Sequence, residues 1–376
     1  MSTLIVEVCK VEEIKNHPNA DRLEVTRTKN WWCVTGKGQY KVGDKVVYFP
    51  PDSVVSQELT DKWGISKYCA PLNRDANGNR PSGMRIRATR FRGEPSFGYI
   101  QTPDDPNWEV GKDVKEYYGV VKWEPPVKTL DGDAASPVSS FHNYTGIENI
   151  GNFPNVFNEK EEVIVTEKIH GTNSRVGYVF HSDQDSEEFT WQWMAGSHSI
   201  RRKETNDKGV KSKYWFPFSI NEENQPMKKL LNEIKENENA VNAVVCFGEI
   251  FGSGIQDMTY GGNGLKYRIF DIAVDGKYLN WDIMVKYVNK YNNFGIQTVP
   301  ILYRGEFSIE KMNQLVDGPT TICKIEEINE PFKGREGIVI KPAIERFCYD
   351  LSGRVILKHI SVDYHERKNK NATEDH

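Results

Sequence analysis

The run Val163-Ile164-Val165-Thr166-Glu167-Lys168, followed at once by Ile169-His170-Gly171-Thr172-Asn173, constrains the fold more than any other part of the chain. Its first half is apolar and β-branched, the composition of a strand packed on at least one face. A period of two puts Ile164, Thr166 and Lys168 on one face. The lysine therefore projects from the end of a half-buried strand, and Gly171 supplies the turn that follows. Such a lysine is suited to act as a nucleophile. An amine attacks only when neutral, and at an unperturbed pKa of about 10.4 roughly one lysine in a few thousand is neutral at pH 7. The surroundings must then supply low dielectric or nearby cations.

At 376 residues the chain exceeds one ordinary domain, and about 150 residues per domain predicts two. The 49 basic and 53 acidic side chains leave a net charge of -4, so any nucleic-acid surface must be local. Six cysteines (Cys9, Cys33, Cys69, Cys246, Cys323, Cys348) lie far apart without C-x-x-C spacing. That pattern argues against a zinc ribbon or a compact disulfide framework and predicts a reducing, intracellular setting, cytoplasmic or nuclear. No run of about 18 apolar residues exists, and Glu7 interrupts the N-terminal segment too early for a secretory core. The expectation is a soluble protein with no membrane partner.

Residues 1–118 read as short strands at 4–8, 23–27, 31–34, 45–49, 84–91 and 96–100, separated by Asn, Pro, Gly and Asp clusters, the rhythm of a small barrel. Residues 119–142 lack periodicity and are rich in turn formers, so they are assigned to an interdomain linker. From 143 to 376 strands alternate with a few helices. Met227, Leu230, Leu231 and Ile234 recur at i, i+3, i+4 and i+7 and predict a helix over 225–238. Further helices are expected after Trp281 and Ser308, and 201–213 reads as a charged loop without apolar pattern. The fold class expected is α+β.

Lys168-Ile169-His170-Gly171-Thr172-Asn173 resembles motif I of the RNA ligase 2-like nucleotidyltransferases, in which the lysine becomes covalently bound to AMP. DNA ligases and capping enzymes normally carry Asp and Arg where His170 and Asn173 stand. Four further elements resemble that family in order. Val244-Val245-Cys246-Phe247-Gly248-Glu249 is similar to motif III, and Tyr267-Arg268-Ile269-Phe270-Asp271 to motif IIIa. Arg335-Glu336-Gly337-Ile338-Val339-Ile340-Lys341 is similar to motif IV, and Arg354-Val355-Ile356-Leu357-Lys358 to motif V. Motif Ia is the vaguest, at Gly196 to Arg202. In motif V the family often has two lysines one residue apart, and Ile356 occupies the first of these positions. The segment His17 to Val25, with Val42 to Tyr48, resembles OB-fold tRNA-binding modules.

The resemblance implies an N-terminal OB-like β-barrel followed by a covalent nucleotidyltransferase domain, ATP-grasp-like, of antiparallel sheets and flanking helices. This is the domain order of the Deinococcus/Naegleria-type RNA ligases. It implies ATP and Mg²⁺ or Mn²⁺ as cofactors, RNA or a nicked RNA-containing duplex as partner, and a monomer. By the same resemblance Lys168, His170 and Lys358 are catalytic. Glu167, Ile169, Asn173, Glu249, Phe270, Glu336, Lys341 and Arg354 surround the nucleotide, with Phe270 stacked on adenine. Glu249, Asp271 and Glu336 organise metal and water, and His170 orients a metal water or phosphate oxygen or else makes a structural hydrogen bond. The alternating arginines of 84–92, with Trp31 or Trp32, form the candidate nucleic-acid face of the barrel. Two rivals stand beside this reading: a DNA ligase or capping-type nucleotidyltransferase, and a catalytically degenerate OB-containing RNA-binding protein.

Overall fold

The computed structural model describes residues 4–72, 82–123, 132–158, 160–182 and 188–366. Its architecture is α+β, with mostly antiparallel sheets and few helices. The described residues divide into two compact units, 4–123 with 149–154 and 132–148 with 155–366. No helix among them is long and apolar enough to cross a membrane.

The first unit is built on a five-stranded sheet in the order Tyr99–Gln101, Lys45–Phe49, Glu7–Asn16, Leu23–Thr28, Trp31–Gly36. The run Val46-Val47-Tyr48-Phe49 is continuously apolar because its strand is covered on both faces. Val47 and Phe49 join a cluster with Val6, Val8, Ile86 and Trp108, whereas Val46 and Tyr48 pack with Cys9, Val11 and Ile100. The first strand begins at Glu7 and runs to Asn16, well past the expected 4–8. A register shift between Val11 and Glu13 absorbs the break in alternation there.

The expected strand 84–91 is two pieces, Met84–Arg85 and Thr89–Phe91. The second piece closes a hairpin with Glu94–Ser96 through Arg92 (φ 49°) and Gly93 (φ 98°), the positive φ values that a two-residue turn of this hand demands. The arginines do not form one face as expected. Arg85 is tied to Asp52 at 2.5 Å and stacks over Trp123 at 3.5 Å, while Arg87, Arg90 and Arg92 are exposed.

The second unit contains two larger antiparallel sheets and the short ribbon Phe347–Cys348 with Gly353–Arg354. One has the order Arg201–Arg202, Thr190–Ser197, Thr172–His181, Ala243–Gly252, Leu265–Val274, Lys277–Tyr278. In the other, Leu357–Ile360, Gly337–Pro342, Glu162–Lys168 and Ile301–Glu306 lie side by side. The helix expected over 225–238 is Pro226–Asn237, with Pro at its first turn, where its missing N–H costs nothing. Its stripe of Met227, Leu230, Leu231 and Ile234 is buried in a core that also takes Val244, Cys246 and Ile250 from the central strand. Helices Trp281–Asn289 and Ile309–Leu315 stand where expected, the second capped by Ser308 Oγ accepting from Lys311 N.

Part of the expected linker, 124–131, lies outside the described residues. The described residues at its C-terminal end, 132–142, are packed into the second unit. Asp133 is buried and accepts from Arg202 at 2.6 Å and Ser212 Oγ at 2.9 Å, and Phe141 is buried against Gly177. One acid and one aromatic leave no periodic signal, so composition alone reads this stretch as unstructured. The same pair corrects the reading of 201–213, because Arg201–Arg202 is a short edge strand beside Ala195 and Gly196.

Candidate active site

Lys168 ends the interior strand Glu162–Lys168 of the second sheet, directly across from Gly337. Its Nζ lies 2.7 Å from Glu336 Oε1, with both side chains about nine-tenths buried. Gly337 is needed beside this carboxylate, since a Cβ there would collide with His359 O and come 2.9 Å from Ile360 Cα. Gly171 does the equivalent job on the other sheet. A Cβ at that turn would strike Ile250 O and sit 2.9 Å from Glu249 Cγ. The turn thus closes directly on Glu249, which pairs across the strands with Asn173. Asn173 Oδ1 is buried and has no hydrogen-bond partner among the described residues.

A second cluster centres on Asp271, which is wholly buried. Lys341 Nζ and Tyr144 Oη donate to its two oxygens, and Arg354 Nη1 donates to Oδ2 at 3.0 Å. Lys341 also donates to Phe270 O at 3.1 Å, and Arg354 Nε to Glu345 at 2.9 Å. Burial opposes ionisation of Asp271, but Arg354 and Lys341 outweigh it and hold the carboxyl below its usual range. Burial likewise lowers Lys341 and raises Glu345. Asp271 was expected to organise metal. Instead both its oxygens are taken by cations and a phenol, so it acts as the counter-ion of this cluster. For the same reason the ammonium of Lys341 and the guanidinium of Arg354, both expected at the phosphate, face Asp271 here.

Other expected residues also have partners that the sequence did not reveal. The Glu167 carboxylate accepts from Thr320 Oγ1, from Thr321 N at 2.7 Å and from Thr321 Oγ1 at 2.6 Å, so it fixes a neighbouring loop. The Ile169 side chain is buried in the main core. His170 is buried, with Nε2 at 2.7 Å from Asp257 Oδ1 and Nδ1 at 2.8 Å from Tyr364 Oη.

Phe270 is half-buried, its ring 4.9 Å from Tyr144. Ile356 is buried with Phe141, Tyr144, Phe247 and Val179, so where the motif V pattern has a first lysine this chain has part of an apolar wall. Lys358, half-exposed, lies across from Val339 on the Gly337–Pro342 strand. Of the arginines near motif Ia, Arg202 is committed to Asp133 and Arg201 reaches Ser136 O at 3.4 Å.

Glu249, Asp271 and Glu336 are not preassembled into a metal cage: among the described residues no group of three or more His, Cys, Asp or Glu side chains is placed to hold an ion.

The loop between the two strands that carry Glu249 and Phe270 clamps the lysine turn. Gln256 Nε2 donates to Gly171 O at 3.1 Å, Asp257 holds the His170 ring, and His170 N donates to Tyr260 Oη at 2.7 Å. Sequence reading missed Gln256, Asp257, Tyr260 and Tyr364. The available signal was a polar, glycine-containing loop inserted between two apolar strands, Gly252-Ser253-Gly254-Ile255-Gln256-Asp257.

Residues 161–360 match the family model for RNA ligase, and residues 5–103 match an OB-fold domain. Among solved structures, Naegleria gruberi RNA ligase with pyrophosphate is similar at a TM-score of 0.71 and 27% identity, covering 96% of this chain and 98% of that one. An apo variant of the same enzyme is similar at 0.72 and 26%, covering 97% and 98%. A variant with ATP and manganese gives 0.72 and 26%, covering 96% and 98%. No curated protein matches the chain by sequence. The strand-end lysine, the Glu336 carboxylate beside it and a family match over more than half of the residues agree, and the chain belongs to the RNA ligase family.

Proposed function

We propose that this protein joins a 3′-OH RNA end to a 5′-phosphate end with ATP, at nicks in duplexes, through AMP carried on Lys168. The observation that carries the reading is the buried Lys168 Nζ to Glu336 Oε1 contact of 2.7 Å at the end of a rigid strand. The likeness to a ligase solved with ATP and manganese supports it.

In the first step Lys168 Nζ attacks the α-phosphorus of ATP. A P–N bond forms, the bond to the bridging oxygen breaks, and pyrophosphate leaves. Next, a 5′-phosphate oxygen of the broken strand attacks the same phosphorus, the P–N bond breaks, Lys168 leaves as the protonated amine and the AMP passes to the strand. The 3′-OH then attacks the activated 5′-phosphate, loses its proton and releases AMP. Glu336 fixes the amine in place for the first step.

Glu249, Glu336 and the buried Asn173 Oδ1 are oxygen donors that fit a hard divalent cation, Mg²⁺ or Mn²⁺, which prefers a few protein oxygens plus water and phosphate to a closed cage. When bound, such an ion withdraws negative charge from the phosphates. Phe270 presents a face for adenine, and Lys358 supplies phosphate charge. Lys341 and Arg354 reach phosphate only by exchanging Asp271 for it. In this reading the first unit holds the nucleic acid and the second, with 132–142 packed into it, transfers the nucleotide.

The test is label transfer from α-labelled ATP, with divalent metal, to the wild type and to Lys168→Ala. Label on the wild type alone, released by pyrophosphate or by a nicked duplex with a 3′-OH RNA strand, is expected. Absence of label on a folded, AMP-free wild type would sink the reading. Release by DNA 3′ ends equal to that by RNA would move it to a DNA ligase.

A further inference from the structure

We infer that Tyr364, from the helix Val362–Glu366, is a positioning residue for nucleotidyl transfer that acts through His170; this rests on the function proposed above. Three observations carry it. The first is the ring's complete engagement: His170 Nε2 is 2.7 Å from Asp257 Oδ1, and Nδ1 is 2.8 Å from Tyr364 Oη. A carboxylate accepts, so Nε2 carries the proton, and Nδ1 accepts from the phenol. Asp257 thus sets the tautomer, and Tyr364 fixes the ring orientation by occupying Nδ1, as an outer partner does for a metal-bound histidine.

The second observation is where that ring lies. His170 Nδ1 is 3.8 Å from Glu336 Oε2, while the other oxygen of the same carboxylate is 2.7 Å from Lys168 Nζ. One edge of the imidazole therefore abuts the group that sets the position of the nucleophile. With the phenol donating to Nδ1, that nitrogen has no proton to offer Glu336, and Oε1 stays directed at Lys168. Without the phenol, Asp257 alone holds the ring, which can turn about that one contact and no longer keeps Nδ1 in its place beside Glu336.

The third is how firmly Tyr364 is held. It is buried, its ring centroid 5.4 Å from that of His170 and 6.1 Å from that of Phe332. Its N–H donates to Ser361 Oγ at 3.1 Å; that hydroxyl donates to Asp317 at 2.6 Å, and Ser361 N donates to Glu336 O at 2.9 Å. Backbone and ring thus bring the C-terminal helix to the same glutamate by two routes. A ring that served packing alone would need no phenol oxygen aimed at Nδ1.

Tyr364→Phe keeps the ring and removes only the donor. In single-turnover adenylylation it is expected to be slower by about tenfold at saturating ATP, the effect of one buried hydrogen bond, with KM for ATP and melting temperature close to wild type. His170→Ala should be slower still, and the double variant no slower than His170→Ala, because the phenol has nothing left to orient. Wild-type rate in Tyr364→Phe, or effects that multiply in the double variant, would overturn the inference.

A further readout does not depend on adenylylation. Nitrogen-15 NMR of the His170 imidazole should report the Nε2-protonated tautomer in both proteins, with the Nδ1 resonance of Tyr364→Phe displaced toward that of an acceptor nitrogen without a donor. An unchanged Nδ1 resonance would also overturn the inference. A wild type that holds this tautomer but takes no label would instead refute the functional reading on which it rests.

Discussion

At the scale of single residues, the site depends on two glycines as much as on its charged groups. Gly171 admits Glu249 to the lysine turn, and its replacement by Ala forces Ile250 O or Glu249 to move. Gly171→Ala should cost about 1–3 kcal/mol in urea unfolding, the range of overpacked positions, and should slow label transfer as well. Glu336→Gln keeps the shape of its side chain but withdraws the charge that anchors the Lys168 amine. Adenylylation should fall by about 10²-fold or more, as for other preorganised electrostatic groups, with the melting temperature as the control for folding. A fall below tenfold would remove Glu336 from the first step.

At the scale of elements, strands and helices meet through buried charge. Asp271, on Leu265–Val274, joins the Gly337–Pro342 strand through Lys341 and the short Gly353–Arg354 strand through Arg354. Its carboxyl is held below the usual value, so the contribution to stability is complete above the unfolded pKa of about 3.9. That contribution is lost as pH falls through the folded value. Asp271→Asn should therefore lose about 3–5 kcal/mol at neutral pH, where two buried cations lose their partner. The gap between its urea midpoint and that of the wild type should narrow on acidification; a gap independent of pH would contradict the cluster. The helix Ile309–Leu315 offers a smaller test, because Ser308→Ala removes a cap to Lys311 N at 3.2 Å and should cost about 1 kcal/mol.

At the scale of the molecule, two units of different composition divide the work proposed. Exposed Arg87, Arg90 and Arg92 belong to the first unit, and the Lys168 site to the second. Replacing the three arginines together by Ala should raise KM for RNA and lessen the dependence of RNA binding on salt, because fewer counter-ions are released. Label transfer from ATP should be unchanged. Equal loss of both activities would argue against the division.

The chain's own order of residues determined the α+β class, the lysine at the end of a β-branched strand and the helix over Pro226–Asn237. These follow from periods of 2 and 3.6 and from neighbours in the chain, so they are legible without a fold. Only the tertiary structure decided which partner each charged group takes. Asp271 and Lys341 are 70 residues apart, Glu167 and Thr320 153, and His170 and Tyr364 194. Burial makes an unpaired polar group costly, so each side chain takes the partner that packing brings within reach. Sequence spacing carries no record of that choice, and for this reason the partners of Asp271 and Glu167 are not legible until the sheets are seen together.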